Sequence, residues 1–157
     1  MNTWNQRIAA GERHEQRVAN ELRQRGWDVA PWGQGVMPDP IRQAISRTRW
    51  KNFPDLVATR DGELVTIDAK DRMSSTETGR FAVARDCVYF GLQFVVAFGV
   101  PVFYVFGNLG VLTPSEVMTY GSQGPRGFGG SYYLVNGRLA HPFDDVFGIP
   151  TSLGATA

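Results

Sequence analysis

The chain has 157 residues, 43% of them hydrophobic and 20% charged, long enough for one well-buried domain and too apolar for wholesale disorder. A single cysteine, Cys87, excludes an internal disulfide framework. With the polar start at Asn2, Asn5, Gln6 and Arg7, it sets the expectation of no leader segment and a cytoplasmic location. Net charge is +1, but residues 1–51 carry nine Lys/Arg against five Asp/Glu, and residues 52–100 carry five against seven. A basic first third beside an acidic middle suits a polyanion-binding surface next to a carboxylate-rich site.

The first expected element is a helix over 3–25, with Ile8, Gly11, Glu15, Val18 and Leu22 on one face. Arg7, Arg13, Arg17, Arg23 and Arg25 then stay solvated, and Gly26 stops the helix. A short strand follows over 27–30. Pro31, Gly33, Gly35, Pro38 and Pro40 break up 31–52, leaving room for a short helix over 40–49. Residues 53–59 read as a strand, Arg60-Asp61-Gly62-Glu63 as a tight hairpin, and 64–70 as the return strand. Alternation puts Leu64, Thr66, Asp68 and Lys70 on one face, with Val65, Ile67 and Ala69 on the other.

Beyond a polar loop over 73–78, a helix is expected over 79–98 and a strand over 101–106. The apolar run 88–107 has the length of a membrane span. Gly99 and Pro101 interrupt it, so a buried helix, a turn and a buried strand are expected, and no membrane partner. The last third predicts a short strand at 111–112, a helix over 114–120, a glycine-rich loop over 121–130 and a hairpin over 132–140 around Asn136-Gly137. A small-residue tail occupies 151–157. The expected organisation is one domain over 1–150, with a core at about 11–106, a C-terminal extension over 107–150 and a flexible tail.

Chemistry concentrates at the hairpin. Asp55 lies six residues before Asp61, and Asp68 six after Gly62, which makes the two nearly cross-strand partners at one end of the sheet. Opposed carboxylates repel unless something binds them, so removing one should relieve the metal-free chain. A divalent cation with oxygen ligands is the natural guest; two carboxylates and a backbone carbonyl suffice for Mg²⁺, which keeps several waters. Glu15, on the apolar face of the first helix, needs a partner that this site could supply; pairing with an Arg at the margin of the face is the plainer alternative. Lys70, two residues after Asp68, either acts in the chemistry or closes a salt bridge to Asp55 or Asp68. Arg42, Arg47, Arg49 and Lys51 surround Trp50, a mixture suited to phosphate contacts with some stacking, or to a solvated helix face. Arg72, Arg80 and Arg85 follow the strand bearing Asp68. His14 and His141 lack metal-ligand spacing.

Phe53-Pro54-Asp55-Leu56-Val57 with Ile67-Asp68-Ala69-Lys70 resembles the signature of the PD-(D/E)xK nuclease superfamily. Within it the chain is similar to archaeal-type Holliday-junction resolvases, through Gly11, Glu15, Gly26 and the stretch from Phe94 to Pro101. Gln34-Gly35 stands where those resolvases carry Ser-Gly. The resemblance implies an α/β restriction-endonuclease-like core, a mixed central sheet flanked by helices. It implies catalytic residues Glu15, Asp55, Asp68 and Lys70, with Mg²⁺ held by Asp55, Asp68, the Ala69 carbonyl and Glu15, and Mn²⁺ as a substitute. DNA would be contacted through Gln34, Arg42, Arg47, Arg49, Lys51 and Arg72. The function implied is metal-dependent endonucleolytic hydrolysis of DNA phosphodiesters, selective for branched DNA, with a homodimer as the assembly. The alternatives are a restriction-like or mobile-element nuclease acting on ordinary duplex, and a non-catalytic DNA-binding subunit on the same scaffold.

Overall fold

The Asp61-Gly62 turn sets the register of the central sheet. Both residues take positive φ, 51° and 80°, as a two-residue turn matched to strand twist requires. The turn joins β2 (Leu56–Arg60) to antiparallel β3 (Glu63–Lys70), with Arg60 opposite Glu63 and Leu56 opposite Ile67. The structure is a computed structural model and describes residues 4–32, 37–71, 74–75, 78–124 and 131–150.

Helix α1 (Trp4–Arg23) leads into β1 (Asp28–Pro31), which pairs with β2. Residues 37–53 hold helix α2 (Asp39–Ile45) and a 3₁₀ turn at Arg49–Asn52, so the single helix expected over 40–49 is split. The Thr48 side chain caps the turn by accepting from the Trp50 backbone N–H. The central sheet runs β1-β2-β3-β6-β7, where β6 is Val102–Phe106 and β7 is Val111–Leu112. Only the β3–β6 contact is parallel, which makes the sheet mixed. Val65 and Ile67 pack against Val18 and Leu22 of α1. The alternate face of β3 lies beside Val102, Tyr104 and Phe106 of β6, and these pack against Val88 and Phe94 of helix α3 (Arg85–Phe98). Both faces of β3 are therefore covered, and Thr66 and Asp68 are buried with the rest.

Several expectations are corrected. The helix expected over 79–98 begins only at Arg85, because Arg80–Ala84 form a strand. Ser74–Ser75 (β4) and Arg80–Ala84 (β5) belong to a second sheet, ordered β4-β5-β9-β8, with β8 at Ser122–Gln123 and β9 at Tyr132–Asn136. The hairpin expected over 132–140 does not form: β9 ends in a 3₁₀ turn, Gly137–Leu139, and pairs instead with β5 and β8. Helix α4 (Pro114–Tyr120) carries a capping box between Thr113 and Glu116. The glycine-rich stretch over 125–130 and the tail over 151–157 lie outside the described residues.

The 107–150 segment reaches the core through α5 (Phe143–Phe147), which the sequence reading missed. Phe147 meets Trp27 edge-on at 5.9 Å, and the Trp27 Nε1–H donates to the Phe147 carbonyl at 2.8 Å. Arg25, expected to be solvated, is buried there: it pairs with Glu21 at 2.7 Å and Asp144 at 2.5 Å, lies over the Phe143 ring, and donates to the Gly148 carbonyl. Among the described residues no helix is long and apolar enough to cross a membrane. The 88–107 run is α3, a left-handed Gly99 (φ 65°) and β6, as expected.

Candidate active site

One step outward from the Leu56–Ile67 pair stand Asp55 and Asp68, where the sheet opens away from the turn. The Asp55 Oδ2 accepts from the Ala69 backbone N–H at 2.8 Å, and the Asp55 carbonyl accepts from the Trp32 N–H at 2.7 Å. The aspartate is thus fixed between β1 and β3. Asp68 is 7% exposed, and its Oδ2 meets the Lys70 Nζ at 3.1 Å. The alternation that placed Asp68 and Lys70 on one face is what brings them together, so the salt bridge weighed for Lys70 does form.

Two unexpected groups close this site from the far side. The Cys87 thiol of α3 lies 3.3 Å from the Lys70 Nζ and 3.4 Å from the Asp68 Oδ2. The Tyr104 hydroxyl donates to the Cys87 carbonyl at 3.2 Å, and Lys70 sits 5.5 Å from the centre of the Tyr104 ring. Gly91 permits this approach, because a Cβ there would come within 2.8 Å of Pro114 and 2.9 Å of the Tyr104 hydroxyl. Asp68 and Tyr104 share a register in the parallel β3–β6 pair, a contact across 36 residues that local spacing does not reveal.

Electrostatics follow from burial. Burial pushes the Asp55 carboxyl well above the usual carboxylate range; Asp68 and Glu15 push the same way, against Lys70 and the Ala69 N–H. Burial opposes charge on Lys70 too, but Asp68, Cys87 and Asp55 outweigh it, and the ammonium is held more tightly than in water. Burial also raises the Cys87 thiol to about 11, keeping it a neutral partner.

Glu15 stands on α1 at the margin of the buried face, which is carried by His14, Val18, Ala19 and Leu22. It lines a cleft of about 210 Å³ with Glu12, Gln16, Ala19, Arg23, Pro31 and Leu56, one residue from Asp55. Burial raises its carboxyl to about 7, helped by Glu12 and Asp68 and opposed by Arg42. Among the described residues no ion pair forms at Glu15, so the Arg partner considered for it is not found. His14 is a core residue whose Nε2 meets the Val105 carbonyl at 3.0 Å.

The basic segment is less uniform than its sequence. The Arg49 guanidinium donates to the Gln93 Oε1 at 2.8 Å and ties the 3₁₀ turn to α3. Arg42 reaches the Met37 carbonyl at 3.4 Å and is close enough to Glu15 to stabilise its charge. Arg47 and Lys51 are exposed. Arg85 turns away onto Tyr89 and Tyr133. Gln34 and Arg72 lie outside the described residues.

Among the described residues, no three His, Cys, Asp or Glu side chains gather tightly enough to cage an ion. The donor set still fits a hard divalent cation that keeps its waters: two carboxylates at facing strand positions, one held above its usual pKa, and a third close enough to feel them.

No protein-family model matches the sequence, and no curated protein matches it. Among solved structures, the chain is similar to Hjc, a Holliday junction resolvase from the archaeal hyperthermophile Archaeoglobus fulgidus, at 16% identity and TM-score 0.56, covering 88% of this chain and 95% of that one. Looser likenesses are to the bacterial homing endonuclease I-Ssp6803I (16% identity, TM-score 0.44, 86% of this chain and 77% of that one) and to D212, a fusselovirus nuclease (11%, 0.47, 84% and 82%). The likeness to Hjc is one of fold: a mixed central sheet with flanking helices, of the restriction-endonuclease-like kind.

Proposed function

We propose that the chain is a metal-dependent DNA endonuclease, with Asp55, Asp68, Lys70 and Glu15 as its catalytic residues. The observation that carries this reading is the facing pair Asp55 and Asp68 with the Lys70 ammonium 3.1 Å from Asp68, at the open end of a resolvase-like sheet. Asp55, Asp68 and the Ala69 carbonyl would hold Mg²⁺ or Mn²⁺, with Glu15 completing the oxygen set directly or through water. Such a cation, when bound, polarises the scissile phosphate and lowers the pKa of a water. In the metal-free chain Asp68, Cys87 and Asp55 raise the Lys70 pKa and favour the ammonium. As an ammonium it would donate a hydrogen bond to the attacking water or to a phosphate oxygen and offset the charge that builds there. Burial raises the Glu15 carboxyl to about 7 in the metal-free chain, so a bound cation that offsets its charge would be favoured there. Arg42, Arg47, Arg49 and Lys51, with Gln34 and Arg72, would position the phosphate backbone. A homodimer is the assembly the resolvase resemblance implies.

The test is a panel of end-labelled DNAs (blunt duplex, flap, gapped duplex and four-way junction) incubated with the purified chain in Mg²⁺, Mn²⁺ or chelator. Cleavage restricted to the metal lanes is expected, strongest on the branched substrates. Binding without cleavage of any substrate would favour the non-catalytic alternative.

A further inference from the structure

Phe53, two residues before Asp55, carries an exposed aromatic surface. Trp32 stacks on it at 5.8 Å with ring planes 9° apart, and Trp50 leans on it at 6.2 Å. On the core side Phe90 and Phe94 of α3 support it at 5.8 and 5.4 Å. Phe94 is buried, yet Trp32 is 45% and Trp50 49% exposed. Two half-open indoles on one ring leave much apolar surface in water, a cost a single-chain fold has no need to bear.

Their backbone is fixed relative to the carboxylates. The Trp32 N–H donates to the Asp55 carbonyl, and Trp50 is held by the Thr48 cap and by the Arg49–Gln93 bond beside it. Along the chain around Trp50 the charge has one sign: Arg47, Arg49 and Lys51 interleave with Trp50, and no acid falls within 47–51. Flat rings edged with cations suit a nucleic-acid strand, whose bases stack while its phosphates are neutralised.

We infer that Trp32 and Trp50, seated on Phe53, form a stacking platform for unpaired bases of DNA, so that the favoured substrate carries single-stranded nucleotides beside the bond at Asp55 and Asp68. Placement next to the scission point rests on the nuclease reading; the stacking itself does not. A duplex hides its base faces and cannot use the platform, whereas a flap, a gap or a branch point can.

The experiment measures binding in chelator, where cleavage is absent. The full chain is titrated with a labelled ten-nucleotide oligo(dT) and with a blunt duplex, following anisotropy and tryptophan emission. Oligo(dT) is expected to quench the wild-type emission. Trp32→Ala and Trp50→Ala should each weaken oligo(dT) binding by about fivefold or more while changing duplex affinity less than about twofold. Trp32→Phe and Trp50→Phe, which keep a ring, should retain most of the affinity and remain informative if an alanine variant does not fold. No quenching, or equal losses on oligo(dT) and duplex, would overturn the platform. Sedimentation of the same proteins covers the other occupant: a wild-type dimer that the tryptophan variants dissolve, with oligo(dT) affinity per protomer unchanged, would assign the surface to a second copy and overturn the inference. A chain that binds oligo(dT) as expected but cuts no DNA in Mg²⁺ keeps the platform and removes the nuclease reading. The reverse result removes the platform alone.

Discussion

Asp55 and Asp68 look equivalent in the sequence but have different partners, and that decides what their removal does. The Asp55 charge is opposed by burial, Asp68 and Glu15, and its Oδ2 accepts the Ala69 N–H. Asp55→Asn keeps an acceptor and removes the charge, so metal-free stability should hold or rise by up to about 1 kcal/mol. Asp68 instead neutralises Lys70, whose side chain is only 17% exposed. Asp68→Asn should lower stability by about 2–3 kcal/mol, because it strands a buried ammonium that Asp55 offsets only in part. Urea melts in chelator separate the two, and equal shifts would contradict the assignment. The relief expected from sequence for either carboxylate thus survives only for Asp55. Glu15 gives a pH signature: a carboxyl raised from 4.5 to about 7 by burial penalises the folded state as it ionises. The penalty is absent below about pH 4.5, grows as pH rises, and is complete above about 7, at about 1–2 kcal/mol after screening by water. Glu15→Gln should flatten that fall in thermal melts between pH 5 and 8 and cut cleavage at least about tenfold. Glu12→Gln should keep activity and lower the pH midpoint, since Glu12 shares the cleft and its charge raises Glu15.

At the scale of elements, the hairpin was legible because its instructions are local. An Asp-Gly pair tolerates two positive φ angles, and counting outward from it placed Asp55 against Asp68. Strand β5 was hidden: Ala84, Val88, Leu92 and Val95 recur at helical spacing, and nothing nearby marks Arg80–Ala84 as paired with Tyr132–Asn136, some fifty residues on. Five-residue α5 is too short to show a period. Cys87 and Tyr104 escaped notice for the same reason as β5, since α3 and β6 bring them to Lys70 through packing rather than spacing. The tightest point of that packing is Gly91. Gly91→Ala should destabilise the fold by about 1–3 kcal/mol and push α3 off Tyr104, despite the higher helix propensity of alanine. A gain in Tm would show that α3 yields without strain.

For the whole molecule, the cations that bear on DNA are Arg42 on α2, Arg47 after it, and Arg49 and Lys51 on the 3₁₀ turn that leads to Asp55. If Arg42, Arg47, Arg49 and Lys51 all contact phosphate, replacing them with Gln should reduce the slope of log K against log salt for DNA by about 3 to 4 units. A loss of only two units would assign Arg49 and Arg42 to their bonds with Gln93 and Met37. The part that the facing aspartates Asp55 and Asp68 play in phosphodiester hydrolysis shows in the rate of cleavage. Initial cleavage rates of a labelled flap DNA are recorded for wild type and Asp55→Asn across a Mg²⁺ titration, with a chelator blank. A saturable, metal-dependent rate is expected for wild type, with a loss of at least about a hundredfold for the folded variant, about 2.7 kcal/mol in the barrier. Cleavage by Asp55→Asn at the wild-type rate, or a wild-type rate unchanged in chelator, would remove the aspartates from metal-dependent hydrolysis.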